Sequence, residues 1–159
     1  MPRKDRAVST FKLRFFLGAF ALLGGSAASA PPVSLDDVLR SHIEGNVPPQ
    51  AQFREYLHRD LLTHFRRAGA QNVSDVTYEL LREGPTQTGI SYPKYYMWVR
   101  LIVGGKTREE GAARVAAVDR THFEVTDFLS RDAIRANPDS VRSVFPAPLV
   151  DKILAKVGH

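Results

Sequence analysis

The hydrophobic pattern of the chain begins with a short amphipathic stretch over residues 34–45. Apolar residues recur there at the spacing of one helix face, and they are Leu35, Val38, Leu39 and Ile43. Ser34 can cap the helix N-terminus, with Asp37 at the third position, and Gly45 is a residue type that ends helices. The pattern therefore predicts a first helix that ends near Gly45.

A longer helical pattern follows over residues 49–68. Pro48 and Pro49 open this segment, and proline suits the first turn of a helix. Gly69 follows the segment and is a residue type that ends helices. The apolar residues fall on one stripe of the helix, made of Phe53, Leu57, Leu61, Phe65 and Ala68. This stripe predicts a helix that packs lengthwise against the core.

The apolar period changes after residue 72, which predicts strands. Residues 73–80 lean toward alternation, and a turn rich in glycine and proline follows them. Residues 92–103 are dominated by β-branched and aromatic side chains, which strands favour. The pair Gly104-Gly105 ends this second strand.

Residues 112–118 fit either a returning antiparallel strand or a helix. Their alanines suit a helix, and Thr107 and Glu110 would form a passable capping box before it. We favour the strand, because Gly111 weakens a helix and because the apolar strand before it needs a partner. A further strand is predicted over residues 121–128.

The remainder of the chain predicts short helices. Ser130 and Asp139 are candidate N-caps, prolines separate the segments, and the last helix is expected near residues 149–157. The order of elements predicts an α+β domain, with helices packed on one face of a curled antiparallel sheet of about four strands. This order resembles, in outline, the cystatin-like and NTF2-like superfolds. The resemblance concerns architecture alone, so no activity is transferred from it.

The first 28 residues carry the three parts of a cleavable signal peptide. A basic head precedes an apolar stretch at 15–25, and small residues follow. Ser26 and Ala28 satisfy the small-residue rule for a cut after Ala28, which leaves a single domain over 29–159. An uncleaved membrane anchor is less favoured, because spanning a bilayer takes about 20 apolar residues. We therefore expect an exported protein, periplasmic or secreted, without a stable membrane anchor after cleavage.

The signal peptide holds most of the excess positive charge of the chain. The whole chain has 22 Lys and Arg against 17 Asp and Glu, a net charge of +5. Residues 1–28 hold 5 of the basic and 1 of the acidic groups, so the remainder carries 17 minus 16, or +1. A nearly neutral domain does not indicate nucleic acid as a partner. The lack of cysteine excludes thiol catalysis and cysteine-ligated metal.

Neither a metal nor a cofactor is expected from the motifs. Histidines occur at positions 42, 58, 64, 122 and 159. His58 and His64 are six residues apart on the predicted helix and point away from each other, and there is no HExxH motif. The run Gly104-Gly105-Lys106-Thr107 looks like the end of a phosphate-binding loop, but Arg100 stands where that loop needs its first glycine.

Asp60 and His64 are the candidate catalytic residues. They are four residues apart on the predicted helix, so their side chains can touch. A carboxylate beside an imidazole fixes its tautomer and raises its basicity, which suits a general base. Tyr78 or Tyr96 could join such a pocket. The commoner alternative is a histidine at the edge of the core that is satisfied by its helix neighbour.

The predicted strand 92–103 has apolar residues on both faces. Its aliphatic row, which we expect to face the core, consists of Tyr95, Met97, Val99, Leu101 and Val103. Its other row contains the candidate binding residues Tyr92, Tyr96, Trp98 and Arg100, together with Ile102. Tyr, Trp and Arg are residue types that binding surfaces favour. Two interpretations are equally open: an exposed binding patch, or a second core layer covered by the C-terminal helices.

These features favour a small exported accessory domain that recognises a partner protein or a small ligand through its sheet face or a cavity. One alternative is a small cavity-type enzyme that uses Asp60 and His64 as an acid–base pair, and another is an inhibitor or immunity-type protein. An enzyme needs its titratable pair in a pocket near a further polar group. A binding module needs only an exposed patch. The sequence leaves the oligomeric state, the ligand and the partner open.

Overall fold

The computed structural model of the protein describes residues 34–69, 72–89 and 91–158. These residues belong to one compact unit, Val33–His159. The predicted signal peptide and its cleavage site lie outside the described residues. In the part that is described, no helix combines the length and the apolar character that a membrane crossing requires.

Two helices precede a four-stranded antiparallel sheet, and three helices follow it. The elements are α1 (Leu35–Asn46), α2 (Gln50–Arg67), β1 (Asp75–Leu80), β2 (Lys94–Val103), β3 (Lys106–Asp119), β4 (His122–Ser130), α3 (Arg131–Ala136), α4 (Ser140–Val144) and α5 (Ala147–Gly158). The strands lie in the order β1-β2-β3-β4, and the sheet is not closed. The predicted α+β class is confirmed.

The two N-terminal helices begin and end where the sequence signals place them, within a residue or two. The Ser34 side chain caps α1 by accepting the backbone N–H of Asp37 at 3.1 Å. Gly69 follows α2 with φ of 102°, a conformation that favours glycine. Of the predicted α2 stripe, four members are buried and Ala68 is exposed at the helix end.

Residues 112–118 lie in strand β3, so the strand interpretation is confirmed. β3 pairs with β2 on one side and β4 on the other, which supplies hydrogen-bond partners on both of its edges. Gly104 and Gly105, with φ of 56° and 77°, form the two-residue connection from β2. Gly111 has no room for a side chain, because a Cβ there would stand 2.2 Å from the carbonyl oxygen of Leu129.

One face of the sheet packs against α2 and forms the first core. The stripe of α2 meets the aliphatic row of β2, and the buried members include Leu57, Leu61, Met97, Val99, Leu101 and Val115. Aromatic rings add edge-to-face contacts, with Phe53 and Tyr95 centred 5.0 Å apart. α2 lies mainly over β4 and contacts β1 less, so the β1 side of this face is less covered.

The opposite face of the sheet packs against the C-terminal helices and forms a second core. Its buried members are Leu81, Tyr96, Trp98, Ala112, Ile134, Val141, Phe145, Leu149, Val150, Ile153 and Val157. Helices therefore cover both faces, and the expectation of helices on one face only is wrong. The reason is that β2 is apolar on both rows, and the apolar stripe of α5 buries the second row.

Candidate functional site

A cavity of about 660 Å³ opens between the N-terminal half of α2 and strand β1. Its lining consists of Val47, Gln50, Phe53, Arg54, Tyr78, Leu80, Glu83, Gly84 and Tyr95. A volume of this size is in the range of small-molecule sites. The mixture of aromatic floor and few polar groups is also typical of such sites.

Helix geometry explains which side chains of α2 reach this cavity. Residues four apart share one helix face, and Gln50, Arg54 and His58 are so spaced. His58 Nε2 lies 2.6 Å from Asp75 Oδ1 at the start of β1, which fixes this face of α2 toward β1. Gln50 and Arg54 then line the cavity together with Tyr78, further along β1.

The floor of the cavity is held by the first core. Phe53 and Tyr95 are 9% and 6% exposed, and their rings meet edge to face. Phe53 also contacts Phe123 edge to face at 5.2 Å. Because these rings are packed on several sides, the apolar part of the cavity is preformed rather than created by movement of exposed side chains.

The two tyrosines of the cavity remain protonated at neutral pH. Burial raises the pKa of Tyr95 to about 12. Burial also raises the pKa of Tyr78, and the positive charge of Arg54 opposes that rise only in part. Both hydroxyls can therefore donate a hydrogen bond to a ligand across the physiological pH range.

Three polar groups of the cavity have no hydrogen-bond or ion-pair partner within the described residues. Within the ranges that the structure describes, no hydrogen-bond or ion-pair partner engages the Arg54 guanidinium or the hydroxyls of Tyr78 and Tyr95. Glu83 lies at the rim with an exposed side chain. Groups of this kind can bind a polar part of a ligand without breaking existing bonds of the protein.

Asp60 is committed to holding α2 against the β3–β4 hairpin. Its two oxygens accept Arg59 Nε at 2.8 Å and Arg59 Nη2 at 3.1 Å. Asp60 Oδ2 also accepts the backbone N–H of Phe123 at 2.8 Å and lies 3.3 Å from His122 Nδ1. The hydrogen bond from Arg59 to Asp60 raises the pKa of Arg59. The carboxylate therefore acts as a crosslink between helix and sheet.

His64 lines a second surface depression, of about 440 Å³, together with Asp60, but its bonding is different. Its ring packs edge to face on Phe65 at 5.1 Å, and the depression also contains His122 and Glu124. Burial lowers the pKa of His64, and the nearby charge of Glu124 opposes this in part. A carboxylate-raised general base would have the opposite shift. The arrangement favours the structural alternative for the pair.

The proposed pocket partners of Asp60 and His64 lie elsewhere. Tyr78 lines the cavity on the β1 side, and Tyr96 lies on the opposite face of the sheet. The Tyr96 hydroxyl is 2.8 Å from Thr86 Oγ1, inside the second core. Neither tyrosine supplies a polar group to the depression around His64.

The candidate binding row of β2 is a core layer at its centre. Tyr96 and Trp98 are 5% and 1% exposed, so they do not form an exposed patch. Trp98 Nε1 donates to Glu110 Oε2 at 3.0 Å, and Arg100 Nε donates to the same oxygen at 3.2 Å. Of the other two, Tyr92, which precedes β2, is 47% exposed, and the Arg100 side chain is 41% exposed. At Tyr96 and Trp98 the row is therefore covered, as in the second interpretation.

Metal-ligating side chains do not converge in the described parts of the chain. No three of the His, Asp and Glu residues there lie close enough together to hold a metal ion. Lys106 begins β3 directly after the two-glycine turn, so the glycines there build a tight hairpin. Neither arrangement adds a site to the cavity.

Sequence reasoning missed the polar half of the cavity. No sequence pattern indicated a binding role for Gln50, Arg54 or Glu83, and Tyr95 was assigned to the core alone. The spacing of Gln50 and Arg54 beside the apolar stripe was the available signal. That spacing did not suffice, because only the tertiary structure shows that this face of α2 lies beside β1, where α2 covers the sheet less.

Comparisons of the chain with protein-family models, with curated proteins and with solved structures found no significant match.

Proposed function

We propose that the protein is a small exported accessory domain that binds a small ligand in the cavity between α2 and β1. The observation that carries the proposal is the combination of a fixed aromatic floor, Phe53 and Tyr95, with donor groups that have no partner in the described chain. Aromatic floors supply apolar contact area, and unengaged donors orient a ligand at low desolvation cost.

Binding through the cavity is better supported than binding through the sheet face. The C-terminal helices bury Tyr96 and Trp98 on one face, and α2 buries much of the other. The cavity is the place where the coverage by α2 thins out over β1. An accessory domain with this geometry offers a partner molecule a concave site rather than a flat sheet.

The acid–base enzyme has less support than ligand binding. Both oxygens of Asp60 already accept hydrogen bonds, and burial lowers rather than raises the pKa of His64. A catalytic pair needs a carboxylate that is free to orient the imidazole.

Export rests on the pattern of residues 1–28, which predicts a mature chain that starts at Ser29. N-terminal sequencing and intact mass of the protein from a periplasmic or culture fraction test this. Recovery of residues 15–25 on the protein in a membrane fraction would contradict export as a cleaved domain.

Ligand binding is tested with N-phenyl-1-naphthylamine, a neutral apolar dye that fluoresces when it leaves water. We expect the purified protein to bind the dye, and chemical-shift mapping to place it at residues 47–54 and 78–84. A Val47→Trp change fills the cavity and should weaken the affinity about tenfold. Val38→Trp is the matched control, because Val38 is exposed on α1 outside the cavity. Equal effects of the two changes, or shifts confined to other surfaces, would refute the cavity as the site.

A further inference from the structure

The polar groups inside the cavity are predominantly donors. The Arg54 guanidinium carries several N–H donors and no acceptor, and the hydroxyls of Tyr78 and Tyr95 keep their protons. A ligand group that accepts hydrogen bonds and carries no protons of its own complements such donors. Carboxylates and similar anions have that property, and a planar carboxylate also matches the fork of a guanidinium.

The charges around the cavity limit how negative the ligand can be. Among the described residues of the lining, Arg54 is the single cationic side chain, and Glu83 at the rim adds a negative charge. One guanidinium can balance one anionic charge, whereas a dianion such as a phosphate monoester would leave a charge in excess beside Glu83. The arrangement therefore favours a monoanion over a dianion.

The apolar lining determines the chemical character of the ligand outside its anionic group. Phe53, Leu80 and Val47 line the same space as the donors, and the rings of Phe53 and Tyr95 pack edge to face there. A ligand that fills this volume must place an aromatic or alkyl body against these side chains. An anion without such a body would leave the floor in contact with water.

Building on the proposed function, we propose that the cavity selects amphipathic monocarboxylates, with Arg54 as the anion-binding residue and the hydroxyls of Tyr78 and Tyr95 as hydrogen-bond donors. The apolar body of the ligand lies on Phe53 and Leu80. Glu83 acts at the rim as a selectivity residue that disfavours dianions.

The test is displacement of bound N-phenyl-1-naphthylamine by three probes that share one ring system: 2-naphthoate, 2-naphthamide and 2-naphthyl phosphate. We expect 2-naphthoate to displace the dye at about five- to tenfold lower concentration than the amide, a modest factor because Arg54 is exposed to solvent. The phosphate should be weaker than the carboxylate. The amide has nearly the same size and shape as the acid, but it is uncharged and carries an NH2 donor in place of one acceptor oxygen.

Three variants assign the effect to residues. Arg54→Gln should abolish the preference for acid over amide, measured as the ratio of the two displacing concentrations within the variant, so that any change in dye affinity cancels. Arg67→Gln is the matched control, because Arg67 is an exposed arginine of the same helix that lies outside the cavity. Glu83→Gln should narrow the gap between phosphate and carboxylate.

The outcomes separate this inference from the proposed function. If the dye binds in the cavity but acid and amide displace it equally, or Arg54→Gln keeps the preference for the acid, the carboxylate inference is overturned and cavity binding stands. If phosphate displaces the dye better than the carboxylate, the monoanion assignment is wrong. If the dye binds nowhere near residues 47–54, both proposals fail together.

Discussion

The indole N–H of Trp98 donates to Glu110 Oε2 at 3.0 Å, which places a charged acceptor at the edge of the second core. The same carboxylate accepts Arg100 Nε at 3.2 Å and Arg131 Nη1 at 2.5 Å. One side chain on β3 thus holds a strand neighbour on β2 and the first residue of α3. This network joins the sheet to the C-terminal helices that cover it.

Replacing Glu110 by Ala should lower the free energy of unfolding by about 1–3 kcal/mol, because the buried indole N–H and Arg131 lose their acceptor. Glu109→Ala is the matched control, since the Glu109 side chain is exposed and makes no hydrogen bond within the described chain. Its effect should stay within about 0.5 kcal/mol. Urea denaturation followed by Trp98 emission measures both. Equal losses would show that the network contributes nothing specific.

The stability of the protein should fall on acidification in a way that depends on Glu110. Burial pushes the pKa of Glu110 up, but the hydrogen bonds from Trp98, Arg131 and Arg100 outweigh it, and the pKa lies below its usual 4.5. A lowered folded pKa means that the stabilisation is present above pH 4.5 and is lost as the pH falls through the lowered value.

Glu110→Gln should accordingly lose less stability than the unmodified protein between pH 6 and pH 3, because glutamine does not titrate. Urea midpoints at several pH values in this interval measure the difference. The urea midpoint of Glu109→Gln should fall with pH as that of the unmodified protein does. If Glu110→Gln shows the same loss with acid as the unmodified protein, other carboxylates dominate the acid response.

Two glycines should respond in opposite directions to alanine. At Gly111 a Cβ would meet the Leu129 carbonyl oxygen at 2.2 Å and the Ser130 Cα at 2.8 Å, both backbone atoms that cannot move cheaply. Gly111→Ala should therefore cost about 1–3 kcal/mol or more. Gly45→Ala, in α1 with nothing within 4 Å, should stabilise by about 0.4–1 kcal/mol. Thermal midpoints test the pair, and a harmless Gly111→Ala would mean that β4 lies further from β3.

The sequence was most informative where a local pattern has a single structural reading. Ser34 capping α1 and the buried stripe of α2 followed from spacing and residue type. For β3 the pattern left strand and helix open, and the strand was favoured because of Gly111 and because β2 needs a partner. The strand choice for β3 depended on Gly111, and the close approach of Leu129 explains why that glycine is needed. Local signals of this kind do not require knowledge of the neighbours.

The sequence was least informative where the answer depends on what covers a surface. β2 is apolar on both rows, so its pattern alone could not separate an exposed Trp98 from a buried one. The i, i+4 spacing of Asp60 and His64 allowed a contact, but Asp60 bonds Arg59 and the Phe123 backbone instead. The cavity itself joins residues up to 48 positions apart, from Val47 to Tyr95, and no local period indicates that.

The pair Asp60 and His64 should behave as two independent structural residues. Asp60→Asn should cost about 1–3 kcal/mol, because it weakens the acceptor of the Phe123 N–H and of Arg59. His64→Ala removes the edge contact with Phe65, and its effect should add to that of Asp60→Asn within about 0.5 kcal/mol. A double-mutant cycle by urea denaturation measures the coupling. A coupling energy well above 1 kcal/mol would restore the acid–base pair as a candidate.

Replacing Trp98 should lower the stability of the protein without changing its ligand binding. Its side chain is 1% exposed and belongs to the core between the sheet and α5, whereas the cavity lies on the opposite face of the sheet beside α2. Trp98→Phe should therefore lower the free energy of unfolding by about 1–3 kcal/mol, because packing is lost and the Glu110 carboxylate loses the hydrogen bond from the indole N–H.

Binding of N-phenyl-1-naphthylamine to the folded Trp98→Phe protein should stay within about twofold of the unmodified protein, because no cavity residue has changed. Leu80→Ala, which enlarges the cavity directly, is the comparison that should alter dye affinity. Thermal unfolding by circular dichroism and a dye titration well below the midpoint separate the two quantities. Loss of dye binding in folded Trp98→Phe, without a loss of stability, would return the binding surface to the Trp98 row and away from the cavity.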